Sequence, residues 1–479
     1  MAQSSRPLRL IGSTLSFCML SRLGFVVPKI DNCRRMSSGC MSSFPENLVV
    51  VIAGSTGVGK SDVAAQICAK HQGMVVSADS VQVYRGVQIG ANKPTLQERD
   101  ETPHLLIDVA DASQLYNAAD WRKDTLACIR TFLNKQNAGD VHEESPREKM
   151  LQTQIQELRS KHGYQPNAPI LPVVVGGTMM YLQWLVHGRP DAARPTEDAL
   201  RKARKTVAQF QAKGPTGWED AVSFVSSSLD PVFGERASKL STNDWYRLRR
   251  TLEVAYTAMD KKDLVEALYN GQREGGLESF GYDVRCFFLC PDDRMSHTAV
   301  VDRRCEDMLL RGLLEETTEL AASSTLPDMA SKAIGYRQVL DYLQRPNPQD
   351  NDSEAFEGFL NDFSTATRRY AKRQMQWFRK DNQFAFVPVD VQKDKSERVQ
   401  EAATIIQEMC SLPRAEFEEE LLDKTSGDKV PRSAKAKQRN AEQGKGMKFY
   451  QFQRYVLKQG TPEYKDLLTQ ADRCTNRLS

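Results

Sequence analysis

Residues 54–61 read Gly-Ser-Thr-Gly-Val-Gly-Lys-Ser, and they directly follow an apolar run, Leu48 to Ala53. This is the GxxxxGK[ST] pattern in its required context, a strand that leads into a glycine-rich turn and then a helix. Glycines let several backbone N–H groups point at phosphate oxygens, and the following helix adds its positive N-terminal end. The pattern therefore predicts an α/β protein that binds a diphosphate or a longer phosphate chain.

The side chains of this loop suit the same ligand. Lys60 supplies a mobile positive charge, and the hydroxyl of Ser61 is a suitable ligand for Mg²⁺. The loop alone leaves the reaction open, because hydrolysis, phosphoryl transfer and displacement of diphosphate from carbon all begin with such a cradle. The predicted diphosphate-binding residues are Gly54, Ser55, Thr56, Gly57, Val58, Gly59, Lys60 and Ser61.

Composition limits the class of protein. The 479 residues are enough for two or three domains, and 40% hydrophobic with 27% charged residues is typical of soluble globular proteins. The net charge is only +3, so affinity for nucleic acid would come from local patches. No apolar stretch reaches the length of a membrane span, so no membrane contact is expected. The 10 cysteines include no C-x-x-C pair, which favours reduced thiols over a disulfide framework or a zinc site.

Residues 1–43 differ in composition from the rest. They are basic and rich in serine, and Asp31 is their one acidic residue. This is typical of a transit peptide, with the mitochondrion as the predicted destination and the plastid as the alternative. Met36 and Met41 are possible internal starts, which would give an untargeted cytoplasmic form.

Short apolar runs alternate with helical segments along the core. Such alternation predicts a parallel sheet of the P-loop NTPase type, flanked by helices. Strands are expected at 48–53, 73–78, 104–109, 171–175 and 284–289, with helices at 62–69, 116–133, 294–322 and 355–380. The predicted domains begin with a transit peptide at 1–43 and the first part of the core at 44–190, which contains a polar insertion at about 134–170. An inserted helical domain follows at 191–275. The rest of the core, with a basic helix, is predicted at 276–390, and a polar, basic tail at 391–479.

Asp79 ends the second predicted strand. In a parallel sheet this position lies at the carboxyl edge, beside the phosphate loop. Its carboxylate could bind a metal, act as a general base, or simply cap a turn. The following residues, to Pro94, alternate polar and apolar side chains in a way that suits a loop lining a base-binding pocket.

Seven segments in chain order closely resemble the tRNA dimethylallyltransferases. Two positions depart from the family pattern, with Ser55 in place of proline and Ala91 in place of threonine, and neither removes a charged or nucleophilic group. The segments that carry the resemblance are 79–94, 103–108, 116–121, 175–181, 243–254, 335–338 and 371–377.

The resemblance implies transfer of a dimethylallyl group from dimethylallyl diphosphate to N6 of adenine 37, next to the anticodon of tRNA. Asp79 would accept the proton of the amine as the C–N bond forms. Lys60, the loop amides and Mg²⁺ on Ser61 would stabilise the departing diphosphate. Thr56 would add a hydroxyl contact. By motif position Arg304 is a further cation on the diphosphate, with Arg303 as the second choice.

The target base must leave its stacked loop and enter a pocket. A basic face on the helix at 365–380 would contact tRNA phosphates, although a solvated charge run is the alternative. The aromatic and basic residues within 424–458 also suit RNA, but disorder explains them equally well. The predicted tRNA-binding residues are Ser80, Gln82, Tyr84, Lys93, Arg247, Arg369, Lys372 and Arg373.

Three other functions remain to be separated from this one. A small-molecule kinase would share the loop, but no arginine-rich lid is evident. An adenylate isopentenyltransferase, which makes cytokinin, would not need the insertion at 191–275. A non-catalytic RNA-binding protein would not need Lys60, Ser61, Asp79 and Arg304 together. The expected partners are the tRNA anticodon stem-loop and dimethylallyl diphosphate, and a monomer is expected because tRNA recognition requires no symmetry.

Overall fold

The computed structural model describes residues 44–134, 145–189, 195–258, 275–346, 353–422, 450 and 453–478. The predicted transit peptide at 1–43 lies outside the described residues, as does most of segment 424–458. The chain forms two compact units, one made of Met1–Leu182 with Gly281–Ser479 and the other of Gln183–Phe280. No helix in the described ranges is both long and apolar enough to cross a membrane.

The larger unit is built on a six-stranded sheet in the order β3-β2-β4-β1-β5-β6, and every strand pair is parallel. The prediction of a parallel sheet flanked by helices is thus confirmed. β1 lies centrally, where Val50 pairs with Val173 on one side and Arg285 on the other. The strands are β1 (Leu48–Gly54), β2 (Gly73–Ala78), β3 (His104–Leu105), β4 (Leu171–Gly176), β5 (Asp283–Pro291) and β6 (Phe384–Val389).

Helices flank the sheet and fill the second unit. In chain order up to the second unit they are α1 (Lys60–His71), α2 (Leu96–Glu101), α3 (Ala118–Phe132), α4 (Pro146–Lys161) and α5 (Met179–Val186). The second unit continues with α6 (Glu197–Gln211), α7 (Gly217–Ser228), α8 (Pro231–Ser238) and α9 (Trp245–Ala258). The larger unit resumes with α10 (Arg294–Leu310), α11 (Leu313–Ala322), α12 (Asp328–Ser331), α13 (Tyr336–Leu343), α14 (Ser353–Phe378), α15 (Lys395–Ser411), α16 (Arg414–Leu422) and α17 (Pro462–Leu478).

One face of the sheet packs against helices from both ends of the chain. Ile52 and Phe287 contribute from the strands, Ile67 from α1 and Ile406 from α15, and all four side chains are buried in one apolar cluster. Burial of apolar surface of this kind is the main favourable term in folding. The cluster holds α1 against the sheet, and α1 begins at the phosphate loop.

The expected end of the core at residue 390 is therefore wrong. Residues of α15, which had been assigned to a polar tail, supply Ala402, Ala403 and Met409 to the central cluster. The sequence misleads because α15 buries only one stripe and exposes charged residues on its other faces. Further along, α17 buries Tyr464 and Leu467, so residues 453–478 also belong to the packed structure.

The third strand is shorter than predicted. It was expected over 104–109, but it ends at Leu105 because Leu106 and Asp108 adopt left-handed backbone conformations, with φ of 60° and 58°. After the turn, the N–H groups of Val109 and Ala110 donate to the carbonyl of Val83 instead of continuing the sheet. The apolar run Leu-Leu-Ile hides this turn from a pattern-based prediction.

Three further elements differ in detail from the sequence analysis. The helical segment at 294–322 divides into α10 and α11 at Gly312, whose φ of 98° strongly favours glycine. The polar insertion at 134–170 contains a helix, α4, which buries Leu151 and Ile155. β6 was not predicted at all, because its run Phe-Ala-Phe-Val-Pro-Val contains a proline.

The second unit, Gln183–Phe280, has helices and no strand among its described residues. Its core contains Trp218, Phe233, Leu248 and Leu252. The predicted helical insertion at 191–275 falls within this unit.

Candidate active site

The phosphate loop leaves β1 at the carboxyl edge of the sheet, beside the central strand pairs. Gly57 and Gly59 have φ of 83° and 95°, which a side chain would strain. Gly59 is the N-cap of α1 and makes no side-chain capping bond. The backbone N–H groups of Gly57, Gly59, Lys60 and Ser61 donate no hydrogen bond to any described residue. These donors lie at a helix N-terminus, which is a favourable place for an anion.

Ser55 brings a further polar atom to the loop. Its side chain is fully buried, and its hydroxyl oxygen has no hydrogen-bond partner among the described residues. A buried hydroxyl without a partner carries a free-energy cost. The hydroxyl is therefore one more group that a bound diphosphate or a water molecule would satisfy.

Lys60 folds back over the loop in this structure. Its ammonium group donates to the carbonyl oxygens of Gly54 and Ser55, each at 3.0 Å. Burial and, to a smaller extent, the charge of Arg304 lower the pKa of Lys60 to about 8, although the charge of Asp79 opposes them. The ammonium lies near a second positive charge, and a bound anion would offset the repulsion between the two.

Arg304 extends from α10 toward the same place. Burial lowers the pKa of its guanidinium group, and the charge of Asp79 acts against that effect. Arg304 is half-buried, whereas its neighbour Arg303 is exposed. The structure thus places Arg304, and not Arg303, with Lys60 and Asp79.

Asp79 lies at the carboxyl end of β2, as predicted. Its Oδ1 accepts hydrogen bonds from the N–H groups of Val81 (2.8 Å) and Gln82 (3.2 Å), which fixes the carboxylate at the start of a turn. Burial raises the pKa values of Tyr181, which is buried, and Tyr370, which is half-buried, and the charge of Asp79 raises both further. Asp79, Lys60, Arg304 and these tyrosines therefore share one electrostatic environment.

The loop after β4 supports the Asp79 turn. The hydroxyl of Thr178 accepts a hydrogen bond from the N–H of Ser80 at 3.1 Å, and the N–H of Thr178 donates to Ala78 at 3.3 Å. Beneath it, Tyr181 stacks on Trp121 with ring centres 4.6 Å apart. Ser80 was expected to touch tRNA, and the structure places it half-buried beside the carboxylate.

Gln82 is occupied within the protein. Its amide oxygen accepts from Ser77 at 2.9 Å, and its amide nitrogen donates to the carbonyls of Ala91 and Asn92. These bonds close the loop between residues 82 and 92. The observed role of Gln82 is to shape the loop.

Tyr84 and Lys93 do not reach a surface that could receive a base, contrary to the prediction. Tyr84 is 1% exposed, and the Lys93 ammonium is buried against Asp108 at 2.6 Å. Arg99 binds the other oxygen of Asp108 at 2.8 Å. Lys93 is already neutralised, so its removal would leave the half-buried carboxylate of Asp108 with Arg99 as its one ion-pair partner among the described residues. Both residues support the structure of the loop.

Glu316 holds the far side of the same loop. Its carboxylate accepts the N–H groups of Gln88, Ile89 and Gly90 at 2.7–2.9 Å. The segment at 335–338 contributes Tyr336, whose ring lies where a Cβ on Gly90 would be, at 2.3 Å. Two of the segments that resemble the family therefore meet here for packing reasons.

The predicted basic face is exposed on α14. Arg369, Lys372 and Arg373 are all exposed, and none of the three forms an ion pair with another described residue. Trp377, on the same helix, is 37% exposed. By contrast, Arg368 is drawn toward Asp302 at 3.3 Å. Arg247 lies in the second unit, on α9, where it is exposed and pairs with Asp244 at 3.3 Å.

Two residues of the site had no assigned role in the sequence prediction. Gln374 accepts the N–H of Thr56 at 2.9 Å, and the ring of His297 contacts the Thr56 carbonyl at 2.9 Å. A glutamine that interrupts a basic helix is a weak signal in the sequence for Gln374. The sequence contains no such signal for His297, because its spacing from other residues matches no motif.

The side chains available as metal ligands indicate how the expected Mg²⁺ would be bound. No group of three or more His, Cys, Asp or Glu side chains suited to a metal occurs in the described parts of the chain. Ser61 is exposed in the first turn of α1. Mg²⁺ commonly keeps several waters and is bound through few protein groups plus substrate phosphates. The residues present fit an ion of that kind and not an all-protein cage.

Comparison with known proteins decides the family. The model of the IPP transferase family matches residues 82–138 and 152–381. The chain belongs to this family. A relative from Arabidopsis thaliana, tRNA dimethylallyltransferase 9, is 34% identical over 359 residues, which cover 69% of this chain and 69% of the relative. The tRNA dimethylallyltransferase of Protochlamydia amoebophila is 30% identical over 73% of this chain and 87% of its own.

The fold agrees with that assignment. A crystal structure of a eukaryotic dimethylallyltransferase acting on tRNA superimposes with a TM-score of 0.50 and 23% identity, covering 90% of this chain and 98% of that one. At this level of identity the likeness concerns the fold. The family resemblance expected from seven segments is confirmed, and the chain is an enzyme of the tRNA dimethylallyltransferase family.

Proposed function

We propose that the chain transfers the dimethylallyl group of dimethylallyl diphosphate to N6 of adenine 37 in tRNA and releases diphosphate. Family membership supports the reaction class. The observation that carries the proposal is the grouping of Asp79, Lys60 and Arg304, whose charges act on one another beside the phosphate loop. One carboxylate and two cations are what this reaction requires.

The chemistry follows from that arrangement. The amine on C6 of adenine attacks the allylic carbon, the C–O bond to diphosphate breaks, and the proton on nitrogen passes to Asp79. Negative charge grows on the leaving oxygen as the bond breaks. The free N–H groups of the loop, together with Lys60 and Arg304, stabilise that charge, and Thr56 offers a hydroxyl contact.

Mg²⁺ is proposed as the cofactor. Ser61 would hold it together with diphosphate oxygens and water. When bound, the ion would neutralise part of the diphosphate charge. Lys60 and Arg304 hold the diphosphate from the protein side.

The tRNA partner is proposed to lie on the exposed face of α14. Arg369, Lys372 and Arg373 are free to contact phosphates there, and the proposed partner is the anticodon stem-loop. Arg247, exposed on α9 in the second unit, is a further proposed contact. The protein would act as a monomer, because nothing in this arrangement requires symmetry.

Mitochondrial targeting is proposed from the basic, serine-rich composition of residues 1–43. The test fuses a fluorescent protein after residue 43 and compares its location in the cell with that of the same fluorescent protein fused to the chain that starts at Met41. A plastid signal from the first fusion would replace the mitochondrial assignment.

The function is tested by a transfer assay with the purified chain from residue 44, Mg²⁺ and labelled dimethylallyl diphosphate. The acceptors are an unmodified tRNA with A36-A37-A38, the same tRNA with G37, and AMP. Label in the first tRNA only, absent in Asp79→Asn, is the expected result. Asparagine keeps the size of the side chain but cannot accept the proton.

Two other results would redirect the proposal. Label in AMP would assign the chain to adenylate isopentenyltransferases. Consumption of ATP without transfer to either acceptor would assign it to small-molecule kinases.

A further inference from the structure

One side chain joins the helix with the basic face to the loop that binds diphosphate. Gln374 lies on α14 directly after Lys372 and Arg373, yet it is 1% exposed. Its amide oxygen accepts the N–H of Thr56 at 2.9 Å. Its amide nitrogen donates to the carbonyl of Gly177 at 3.0 Å. Both ends of one amide are therefore fixed to loops at the carboxyl edge of the sheet.

The fit around this amide is tight. A Cβ on Gly177 would lie 2.3 Å from the amide nitrogen of Gln374, so the position accepts no side chain without movement. Tyr370, one turn earlier on α14, donates its hydroxyl to the same Gly177 carbonyl at 3.1 Å. The next residue, Thr178, accepts the N–H of Ser80 beside Asp79. Hydrogen bonds thus connect α14 to the phosphate loop and to the turn that carries Asp79, the proposed general base.

The backbone on the other side of Thr56 is held as well. The Nε2 atom of His297 lies 2.9 Å from the Thr56 carbonyl, and His297 is 7% exposed on α10, the helix of Arg304. Burial lowers the pKa of His297, which favours a neutral ring, and a hydrogen bond to the Thr56 carbonyl requires the ring proton on Nε2. The N–H of Thr56 lies in the peptide unit before this residue and its carbonyl in the unit after it, so α14 and α10 each fix one of the two peptide units that flank Thr56.

We propose that Gln374 is a positioning residue that couples tRNA binding on α14 to diphosphate binding in the phosphate loop. This inference rests on the proposed function, since it takes the exposed face of α14 as the tRNA surface. Docking of tRNA fixes α14, and Gln374 passes that constraint to Thr56. Coupling is reciprocal, so diphosphate tightens tRNA binding by the same factor as tRNA tightens diphosphate binding.

The test measures binding, not transfer. Inorganic diphosphate with Mg²⁺ is titrated into the chain from residue 44, with and without a saturating anticodon stem-loop. Gln374→Met keeps the volume and removes both hydrogen bonds, and Gln374→Glu keeps the acceptor for Thr56 but not the donor for Gly177. Asn361→Ala, exposed on the same helix, is the matched control. Thermal melting of each variant shows whether it is folded.

In the unsubstituted chain and the control, the stem-loop is expected to tighten diphosphate binding several-fold. In Gln374→Met, diphosphate alone should bind about tenfold more weakly, a usual size for loss of a buried hydrogen bond, and the coupling factor should fall to about one. Affinity for the stem-loop alone should stay within about twofold. Gln374→Glu should lose the coupling as well.

The proposal is overturned if the unsubstituted chain shows no coupling, or if Gln374→Met retains either the coupling or the diphosphate affinity. A chain that binds both ligands but transfers nothing would refute the proposed function and leave the coupling result standing. The two failures are therefore distinguishable.

Discussion

The hydroxyl of Tyr336 donates a 2.6 Å hydrogen bond to the carboxylate of Glu316. The same carboxylate also accepts three consecutive backbone N–H groups, from Gln88 to Gly90. One acidic side chain thus organises the far end of the loop that begins at Asp79. A loop held in this way is fixed before any base arrives, which lowers the entropic cost of binding.

Replacing Glu316 by alanine should loosen this loop. The three N–H groups would lose their acceptor, and we expect a tRNA KM raised about tenfold with the KM for dimethylallyl diphosphate within about twofold. Tyr336→Phe removes one bond of four and should have a smaller effect. Glu315→Ala, the neighbouring acid on α11, is the comparison, and equal effects of the two glutamates would contradict this account.

Arg304 and Arg303 offer a matched pair for the diphosphate site. Arg304 shares its electrostatic environment with Lys60, whereas Arg303 is exposed. Arg304→Ala should lower kcat/KM for dimethylallyl diphosphate about 100-fold, a usual loss for a group that stabilises developing charge. Arg303→Ala should leave it within about twofold. The assay is steady-state transfer with tRNA saturating, and reversed effects would restore Arg303 as the cation.

The basic face of α14 should be visible in the salt dependence of tRNA binding. The slope of log K against log salt becomes shallower by about 0.7 to 0.9 for each phosphate that the protein no longer neutralises. We expect this change for Arg369→Ala, Lys372→Ala and Arg373→Ala, each with weaker binding. Lys161→Ala, an exposed lysine on α4, should leave the slope unchanged. A slope that is unaffected by all three substitutions would remove α14 from the interface.

Much of the site could be predicted from the sequence because its parts are local. The phosphate loop and Asp79 follow buried strands directly, and parallel strands bring their carboxyl ends to one edge. Arg304 was chosen by motif position, and the structure places it with them. Spacing and strand patterns were sufficient to place the loop and Asp79, whereas the choice of Arg304 depended on the resemblance to the family.

The failures concern residues whose role depends on distant partners. Lys93 was predicted to contact tRNA, but Asp108 lies beside it because the chain turns at Leu106. Gln374 and His297 meet Thr56 across 318 and 241 positions. No local pattern records such pairings, since side-chain burial and hydrogen bonding are decided by tertiary packing. α15 was missed for the same reason.

Asp292 gives a prediction about pH. Burial raises the pKa of its carboxyl group to about 6, and Asp390 and Asp293 add to the effect. The folded state therefore binds this proton more tightly than the unfolded chain, and stability falls as pH rises from about 4 to 6. Asp292→Asn keeps the acceptor for the Asp293 N–H and removes the charge.

The variant should be more stable than the unsubstituted chain at pH 7 by about 1 kcal/mol, a value reduced for partial exposure. The gain should vanish near pH 4, where both chains are neutral at this position. Urea unfolding at the two pH values is the measurement. An equal gain at both would mean that charge is not the cause.

The C-terminal segment gives a stability prediction. The buried carboxylate of Glu306 on α10 accepts the N–H groups of Tyr455, Val456 and Leu457, at 2.6–3.2 Å. Glu306→Ala would leave these groups without an acceptor and should lower the free energy of unfolding by about 2–3 kcal/mol. Asp307→Ala, at an exposed position next to it, should cost less than about 0.5 kcal/mol. Denaturant titration followed by circular dichroism distinguishes the two.

The packing of α15 on α1 has a consequence for synthesis of the chain. Gln66 on α1 bonds Gln400 on α15, which lies 334 positions later. When the phosphate loop leaves the ribosome, the helix that will cover α1 does not yet exist. The part of α1 that packs on α15 stays uncovered until residues 395–411 have been translated, so the nascent protein needs protection from aggregation throughout that interval.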